Sequence, residues 1–525
     1  MLLTRTLLRH RHRRLSALCA GLLLGLGLAG CAEETRGAMQ DSEVGGAPPR
    51  GHGGRGVLVI AIDSLRADHT TPSGYDRNTT PALAGLVAEG AALVQTFSTG
   101  PEMTSSHTAL LTGCDPVIGR QPLPDDAGAF SPSRRWLIPD QTPSLAAEYL
   151  AAGYATACFV DHSWLAPELG FYRGFERYDE FEGGLEVDEN DFGAAQLGRR
   201  VLNWIRSLDR DRDWFAYVQV SDLERSLRHE EERRTNFFEA RPELTEVPPV
   251  VEADRAFFAI PRRLWSGGPR TVGEYEAAYD EYLRRLDSKL GRLFARLDAL
   301  GLDDLTICVV GTYGMGFGES GLYLDHGTLS DVDLHVPLVI RFPRSSQLPR
   351  GQLARGLAST LDVAPTLLEL SGIERPSGMH GVSQVPALSL PDGPPVREVC
   401  FSTGGVSSGF AVHDRRYSYQ STVHAIRGDA DLVASWYGTP YPAKRDRRRH
   451  MRDRESGAGP GDLEQSSPNL ERADELQKLG DAWYSWMERT RLALHNPPWV
   501  TRPTSERELA ELRRRGLIPE PEPER

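Results

Sequence analysis

Six consecutive apolar residues, Val57-Leu58-Val59-Ile60-Ala61-Ile62, constrain the fold of this chain more than any other feature. A strand with one wet face alternates apolar and polar side chains. A run with no polar member must be covered on both faces. Thr156-Ala157-Cys158-Phe159-Val160, Trp214-Phe215-Ala216-Tyr217-Val218 and Leu305-Thr306-Ile307-Cys308-Val309-Val310 have the same character. Stretches with helical spacing lie between them. Thr80-Pro81 predicts a helix start, with Thr80 as N-cap, Pro81 in the first turn and Leu86 and Val87 on the buried face. Thr142-Pro143 predicts another start, leading to Leu145, Tyr149 and Leu150. Tyr279, Tyr282, Leu283, Leu286, Leu290, Leu293 and Leu297 mark one face of a helix across 275–300. Strands alternating with helices predict an α/β chain built on a large, mostly parallel sheet with helices on both faces. Reactive side chains in such sheets gather at the carboxyl ends of the strands.

Two regions break this alternation. Residues 225–271 are charged and contain Pro248-Pro249, which predicts an insertion over the face where the loops gather. After Pro395 the apolar runs shorten. Val399-Cys400-Phe401 and Tyr417-Ser418-Tyr419 predict short antiparallel strands, and Leu470, Leu476, Leu479, Trp483 and Trp486 predict a terminal amphipathic helix. The expected division is a main domain over 56–390, a small C-terminal α/β part over 397–500 and a charged tail over 501–525. The basic run 444–454 is expected to be a solvated loop.

The first thirty residues carry a different message. Arg5, Arg9, Arg11, Arg13 and Arg14 precede a Leu-, Gly- and Ala-rich stretch over 15–30, the order of a secretory signal rather than a membrane span. Leu28-Ala29-Gly30-Cys31 resembles the bacterial lipobox, which implies cleavage before Cys31 and lipidation of its thiol. The expected location is therefore outside the cytoplasm, lipid-anchored to the membrane surface of the bacterial envelope. Ala32 after the cysteine points to the outer membrane. Residues 31–55 are expected to form a flexible tether. The formal charge of −13 leaves no nucleic-acid partner to expect, since such binding runs on Lys and Arg neutralising phosphates. Cys114, Cys158, Cys308 and Cys400 have no CxxC neighbour, which argues against zinc, and Cys158 and Cys308 fall inside apolar runs as core thiols.

A family becomes visible in the ordered set of motifs. Ile60-Ala61-Ile62-Asp63-Ser64-Leu65-Arg66-Ala67-Asp68-His69, Gly74-Tyr75 with Thr79-Thr80-Pro81, Ser105-Ser106-His107-Thr108-Ala109-Leu110-Leu111-Thr112-Gly113, Val336-Pro337-Leu338 and Leu361-Asp362-Val363-Ala364-Pro365-Thr366 occur in that order. Together they resemble the sulfatases of the alkaline-phosphatase superfamily, from about Gly56 to Leu388 and more weakly to Trp499. The resemblance implies a large mixed, mostly parallel sheet with a smaller C-terminal part. It also implies an active site holding a divalent cation, usually Ca²⁺. In this family two acids after the first strand, and an Asp-Asn or Asp-His pair after a later one, hold the metal. A Cys or Ser converted to formylglycine, or a Thr or Ser in phosphate-transferring branches, is the nucleophile. Such chemistry needs a hard cation to polarise the ester oxygens and donors for the remaining ones.

Carried over residue by residue, Asp63 is the first metal ligand and Ser64 replaces the second acid. Met103 falls at the nucleophile, and a thioether cannot attack sulfur. Thr104, one residue on, is the available hydroxyl, with Ser105 and Ser106 after it. His107 stands where the family has Arg, and His326 matches a histidine near the sulfate. After Leu305–Val310 the expected metal pair is replaced by Gly314 and Met315. Asp325 is the candidate for a substitute ligand. After the strand ending at Val220, Glu224 puts a carboxylate where the family presents a donor to the anion.

Two functions follow. The first is an exported sulfatase-family lipoprotein with impaired or lost sulfuric-ester hydrolysis, its cleft binding an anionic ester, glycan or protein ligand without a cofactor. The second is an active hydrolase or transferase of sulfate or phosphate esters. That enzyme would use Thr104 as nucleophile, His107 and His326 as partners and a divalent cation on Asp63 and Asp325.

Overall fold

The computed structural model describes residues 54–119, 121–122, 136–180, 193–226, 237–253, 255–265, 270–302, 305–404, 409–415, 417–422, 450–453, 482 and 485–486. The signal segment, Cys31 and nearly all of the tether lie outside the described residues, as do most of the basic run and, except Trp486, the apolar face of the terminal helix.

The large sheet has eight strands: β1 (Gly56–Ile62), β2 (Gly90–Phe97), β3 (Ala155–Val160), β4 (Arg177–Glu180), β5 (Trp214–Val220), β6 (Leu305–Gly311), β7 (His335–Arg341) and β8 (Gln352–Ser359). Their spatial order is β8-β2-β7-β6-β1-β5-β3-β4. All neighbours run parallel except β7, which is antiparallel to both β6 and β2. β1 therefore lies between β6 and β5, and its six-residue apolar run is covered twice. Leu58, Ile60 and Ile62 enter one core and Val57, Val59 and Ala61 the other, as a period of two requires. One core packs against α1 (Pro81–Ala88), α4 (Ala194–Ser207) and α5 (Val272–Ala299). The other packs against α2 (Met103–Thr112), α3 (Leu145–Ala151) and α6 (Val363–Leu370).

Helix starts show where local signals sufficed. α5 opens on a Thr271/Glu274 capping box, and its buried face begins within the first turn at Tyr275, four residues before Tyr279. α3 starts at Leu145, capped by the Ser144 hydroxyl, and not at Thr142-Pro143. Thr80 and Pro81 occupy the N-cap and first position of α1, but the Thr80 hydroxyl accepts from the Thr71 N–H instead of capping. Asp287, on α5, caps α1 from across the core, accepting from the N–H groups of Ala82 (2.8 Å) and Leu83 (3.0 Å). Burial pushes the Asp287 carboxyl up to about 6, against the pull of those two N–H groups. A carboxyl raised on folding stabilises fully below its unfolded value, and that contribution is lost as pH rises through the folded one. The shift corresponds to about 3 kcal/mol. Asp287→Asn is expected to flatten this fall between pH 3.8 and about 6, checked by urea midpoints on either side of the window.

After the large sheet come four antiparallel strands, β9 (Cys400–Gly404), β10 (Gly409–His413), β11 (Tyr417–Thr422) and β12 (His450–Asp453), paired in that order. Polar bonds join them to the main body. The Ser402 hydroxyl donates to the Ser98 carbonyl at 2.6 Å, and the Ser418 hydroxyl donates to Asp331 at 2.9 Å. The His413 ring stacks on Phe97 at 4.2 Å. The four cysteines named above are buried free thiols. Among the described residues no helix is long and apolar enough to cross a membrane.

Candidate active site

The carboxyl ends of β3, β5, β1 and β6 lie side by side, and a polar residue follows each apolar run: Asp161, Ser221, Asp63 and Thr312. Gln219, the last polar residue inside β5, joins them. All five are buried. The Asp161 N–H donates to Gln219 Oε1 at 2.9 Å, and a backbone N–H can only donate. The Gln219 amide nitrogen therefore faces Asp63, donating to Oδ2 at 2.6 Å. Thr312 Oγ1 donates to Asp63 Oδ1 at 2.6 Å, and His107 Nε2 lies 3.1 Å from the same oxygen. Burial alone would raise the Asp63 carboxyl. The His107 imidazole and the three hydrogen bonds outweigh it and hold Asp63 below the ordinary carboxylate range.

His107 sits one turn into α2, whose residues are all buried. Its other nitrogen, Nδ1, lies 2.6 Å from the Tyr217 hydroxyl on β5. Both ring nitrogens are thus committed. Thr104 is in the first turn of the same helix and nearly covered, and its carbonyl accepts from the Thr108 hydroxyl. Met103 belongs to the apolar core on the α2 side of the sheet.

At the β6 end stand Gly314 and Met315, the two positions where the resemblance expects metal ligands. The Gly314 N–H donates to the Asp333 carbonyl at 2.8 Å, and a Cβ on Gly314 would meet the Val332 carbonyl oxygen at 1.8 Å. No side chain fits there with this backbone. Met315 points into the other core. Its carbonyl accepts from Arg66, a buried guanidinium also paired with Asp68 and Glu319.

Asp325 and His326 lie on the loop after this end. Asp325 takes a different set of partners from Asp63. Arg255 Nε and Arg263 Nη2, both from the insertion, lie 3.2 and 3.1 Å from its Oδ2, and the His326 N–H donates to its Oδ1. His326 Nδ1 lies 2.6 Å from the Pro101 carbonyl, so Nδ1 carries the proton. Its ring packs on Tyr313 at 4.3 Å, and the Tyr313 hydroxyl donates to Glu224 at 3.4 Å. Behind it, burial pushes the Asp333 carboxyl up to about 6, eased by the Thr328 hydroxyl.

The fit of a divalent cation follows from these donor sets. A hard cation takes six to eight oxygens, several of them carboxylate. Around Asp63 stand an amide nitrogen, an imidazole and a hydroxyl whose proton is spent on the carboxylate. Ser64 adds one buried hydroxyl without a partner among the described residues. Among the described residues no three His, Cys, Asp or Glu side chains group as a metal ion would need. The residues present do not fit the ion. Sequence reasoning named Asp63, Thr104, His107, Asp325 and His326, but gave no role to Gln219, Thr312, Arg255 or Arg263. For Gln219 the signal was a polar residue within an otherwise apolar strand.

Comparison with known proteins gives a consistent picture of kinship. The chain is 23% identical to an ulvan-active sulfatase of Formosa agariphila, over 79% of this chain and 81% of that protein. It is 24% identical to human arylsulfatase A, over 61% and 65%. A match to an N-acetylglucosamine-6-O-sulfatase of Bacteroides thetaiotaomicron, 30% identical, spans only 21% of each chain. Among solved structures, one holding its substrate D-glucosamine-2-N,6-O-disulfate superposes with a TM-score of 0.61, at 15% identity over 83% of this chain and 98% of that one. The phosphonate monoester hydrolase of Agrobacterium radiobacter superposes at 0.60, with 16% identity over 83% and 96%. These superpositions establish the shared fold. The sulfatase family description matches residues 55–373, more than half of the sequence and the whole of the eight-stranded sheet, and the chain belongs to that family.

Proposed function

We propose that this protein is an exported sulfatase-family protein whose cleft binds an anionic glycan and has lost the metal-dependent ester hydrolysis of its relatives. The saturation of Asp63 carries this reading. Its two oxygens accept from Gln219, Thr312 and His107, protein donors standing where a cation would have to sit. Three further features support it. Gly314 has no room for a ligand side chain, Asp325 is engaged by two arginines, and His107 has no nitrogen left to take a proton from Thr104. The ligand class rests on relatives: structures with this fold hold D-glucosamine-2-N,6-O-disulfate and a neocarrahexaose. Envelope anchoring through Cys31 belongs to the same proposal, and would display the cleft outside the cytoplasm.

Elemental analysis of the purified protein, with a turnover screen on aryl sulfate and phosphate esters, tests the reading. The expected result is no stoichiometric divalent metal, and no turnover above the uncatalysed rate in either the native protein or Thr104→Ala. One bound Ca²⁺ per chain, with turnover abolished by Thr104→Ala, would restore the hydrolase.

A further inference from the structure

One buried histidine stands where the C-terminal sheet meets the main body. His413 ends β10 and is fully covered, as are Ser402 on β9 and Ser418 on β11. Its Nδ1 lies 2.6 Å from the Ser418 hydroxyl oxygen, and its Nε2 lies 3.3 Å from that of Ser402. Each hydroxyl has one proton, and both protons are committed to the main body. Ser402 donates to the Ser98 carbonyl at 2.6 Å, and Ser418 donates to Asp331 Oδ1 at 2.9 Å. Each serine oxygen can then meet the ring only as an acceptor, so both ring nitrogens carry a proton. A neutral ring accepts at one nitrogen. One serine would then have to turn its proton away from a buried carbonyl or carboxylate. Two further contacts suit a charged ring. Asp331 Oδ1 lies 4.0 Å from Nδ1, and the ring stacks at 13° on the face of Phe97.

Other titratable groups near the ring face elsewhere. Phe97 also stacks on His335, whose Nε2 lies 2.8 Å from the Val94 carbonyl. Cys400, opposite His413 in the ladder, points its thiol at the Ala358 carbonyl. Asp333, on the same helical turn as Asp331, accepts from Thr328. Asp414 and Arg415 follow His413, the first partly covered and the second exposed. β9 in turn lies on the loop that leads into α2. The Thr403 N–H donates to the Thr99 carbonyl at 2.9 Å, and a Cβ on Gly100 would come within 2.7 Å of the Thr403 carbonyl oxygen. The Ser98 and Ser106 hydroxyls, 3.0 Å apart, tie this loop to α2, and the carbonyl of Pro101 on it holds His326.

We propose that His413 is a pH-sensitive clasp: as an imidazolium it fastens the C-terminal sheet to the main body, and loss of its proton in mildly alkaline solution releases β9 from the loop before α2. A free imidazole titrates near 6.5. A histidine that folding keeps charged titrates above that value. Its contribution is whole below about pH 6.5 and is lost as pH rises through the folded value. Between the two, opening of the sheet releases one proton and should become about tenfold more frequent with each pH unit.

Amide hydrogen exchange of the full protein, corrected for the chemical rate and followed from about pH 5.5 to about 9, tests this. Opening read from the amides of β9 and β10 should hold steady up to about pH 6.5, then rise about tenfold per unit until the folded value is passed. The amides of β1 should show no such step. His413→Gln, which can still donate and accept, should abolish the step. Asp331→Asn removes the counter-charge and should end the rise at a lower pH. A step missing from the native protein, kept in His413→Gln or unmoved in Asp331→Asn overturns the clasp. If His413→Gln does not fold, nitrogen-15 spectra of the native histidines decide. The clasp requires one ring still doubly protonated at about pH 7.5, and its absence overturns the proposal.

Discussion

Asp63→Ala is expected to lower unfolding stability by about 3–5 kcal/mol, read as a fall in the urea midpoint. The substitution does not remove a spare carboxylate. It strands Gln219, Thr312 and His107, all buried and all aimed at the vacated oxygens. The loss should depend on pH in a defined direction. Burial works to raise the Asp63 carboxyl, but His107 and the hydrogen bonds hold it below the ordinary range. A carboxyl lowered on folding contributes fully above its unfolded value, near 3.9 for Asp, and the contribution fades as pH falls through the folded value. The gap between native and variant should therefore narrow on acidification below about pH 4. Calcium or a chelator should leave the native melting temperature unmoved. A rise with calcium that Asp63→Ala erases would identify Asp63 as a ligand and defeat the proposal, since a ligand that binds only the folded state must stabilise it.

Restoring the family's residue at the β6 end should fail. Gly314→Asp returns the carboxylate that relatives use, yet the first added atom would lie 1.8 Å from the Val332 carbonyl oxygen and 3.1 Å from Arg66 Cγ. Backbone cannot give way as a flexible side chain can. The cost should exceed the roughly 1–3 kcal/mol of ordinary overpacking. Gly314→Ala should lose stability comparably, because the clash begins at Cβ. Chemical unfolding of the two variants checks this, and a Gly314→Asp protein of native stability that binds calcium would show that the loop can reopen.

These expectations mark the boundary of what the sequence made legible. The strands at Val57, Thr156, Trp214 and Leu305 are plain because each is an apolar run, interrupted at most by a single threonine. β2 is not. It begins Gly90-Ala91-Ala92, since a Cβ on Gly90 would fall 1.9 Å from the Ile340 carbonyl oxygen, and small residues leave no periodic signature. The reversed direction of β7 leaves none either, because a strand buried on both faces looks alike in both orientations. At the site, Asp63, His107 and His326 could be named from their place in motifs. Their partners could not, since Gln219 and Thr312 meet Asp63 from 156 and 249 positions away. The engagement of Asp325 by Arg255 and Arg263 was hidden for the same reason: an insertion rich in charge does not disclose which charge it grips.

The Asp161–Gln219–Asp63 chain also bears on how any guest would be received. Because the Asp161 amide fixes which way the Gln219 side chain faces, the link runs in one sense only, and it staples neighbouring strand ends into a stiff floor. A guest settling on that floor would find it already set, with little freedom left to surrender on contact. Tight recognition could then come from a few well-aimed groups at the rim rather than from a lock that must first assemble itself.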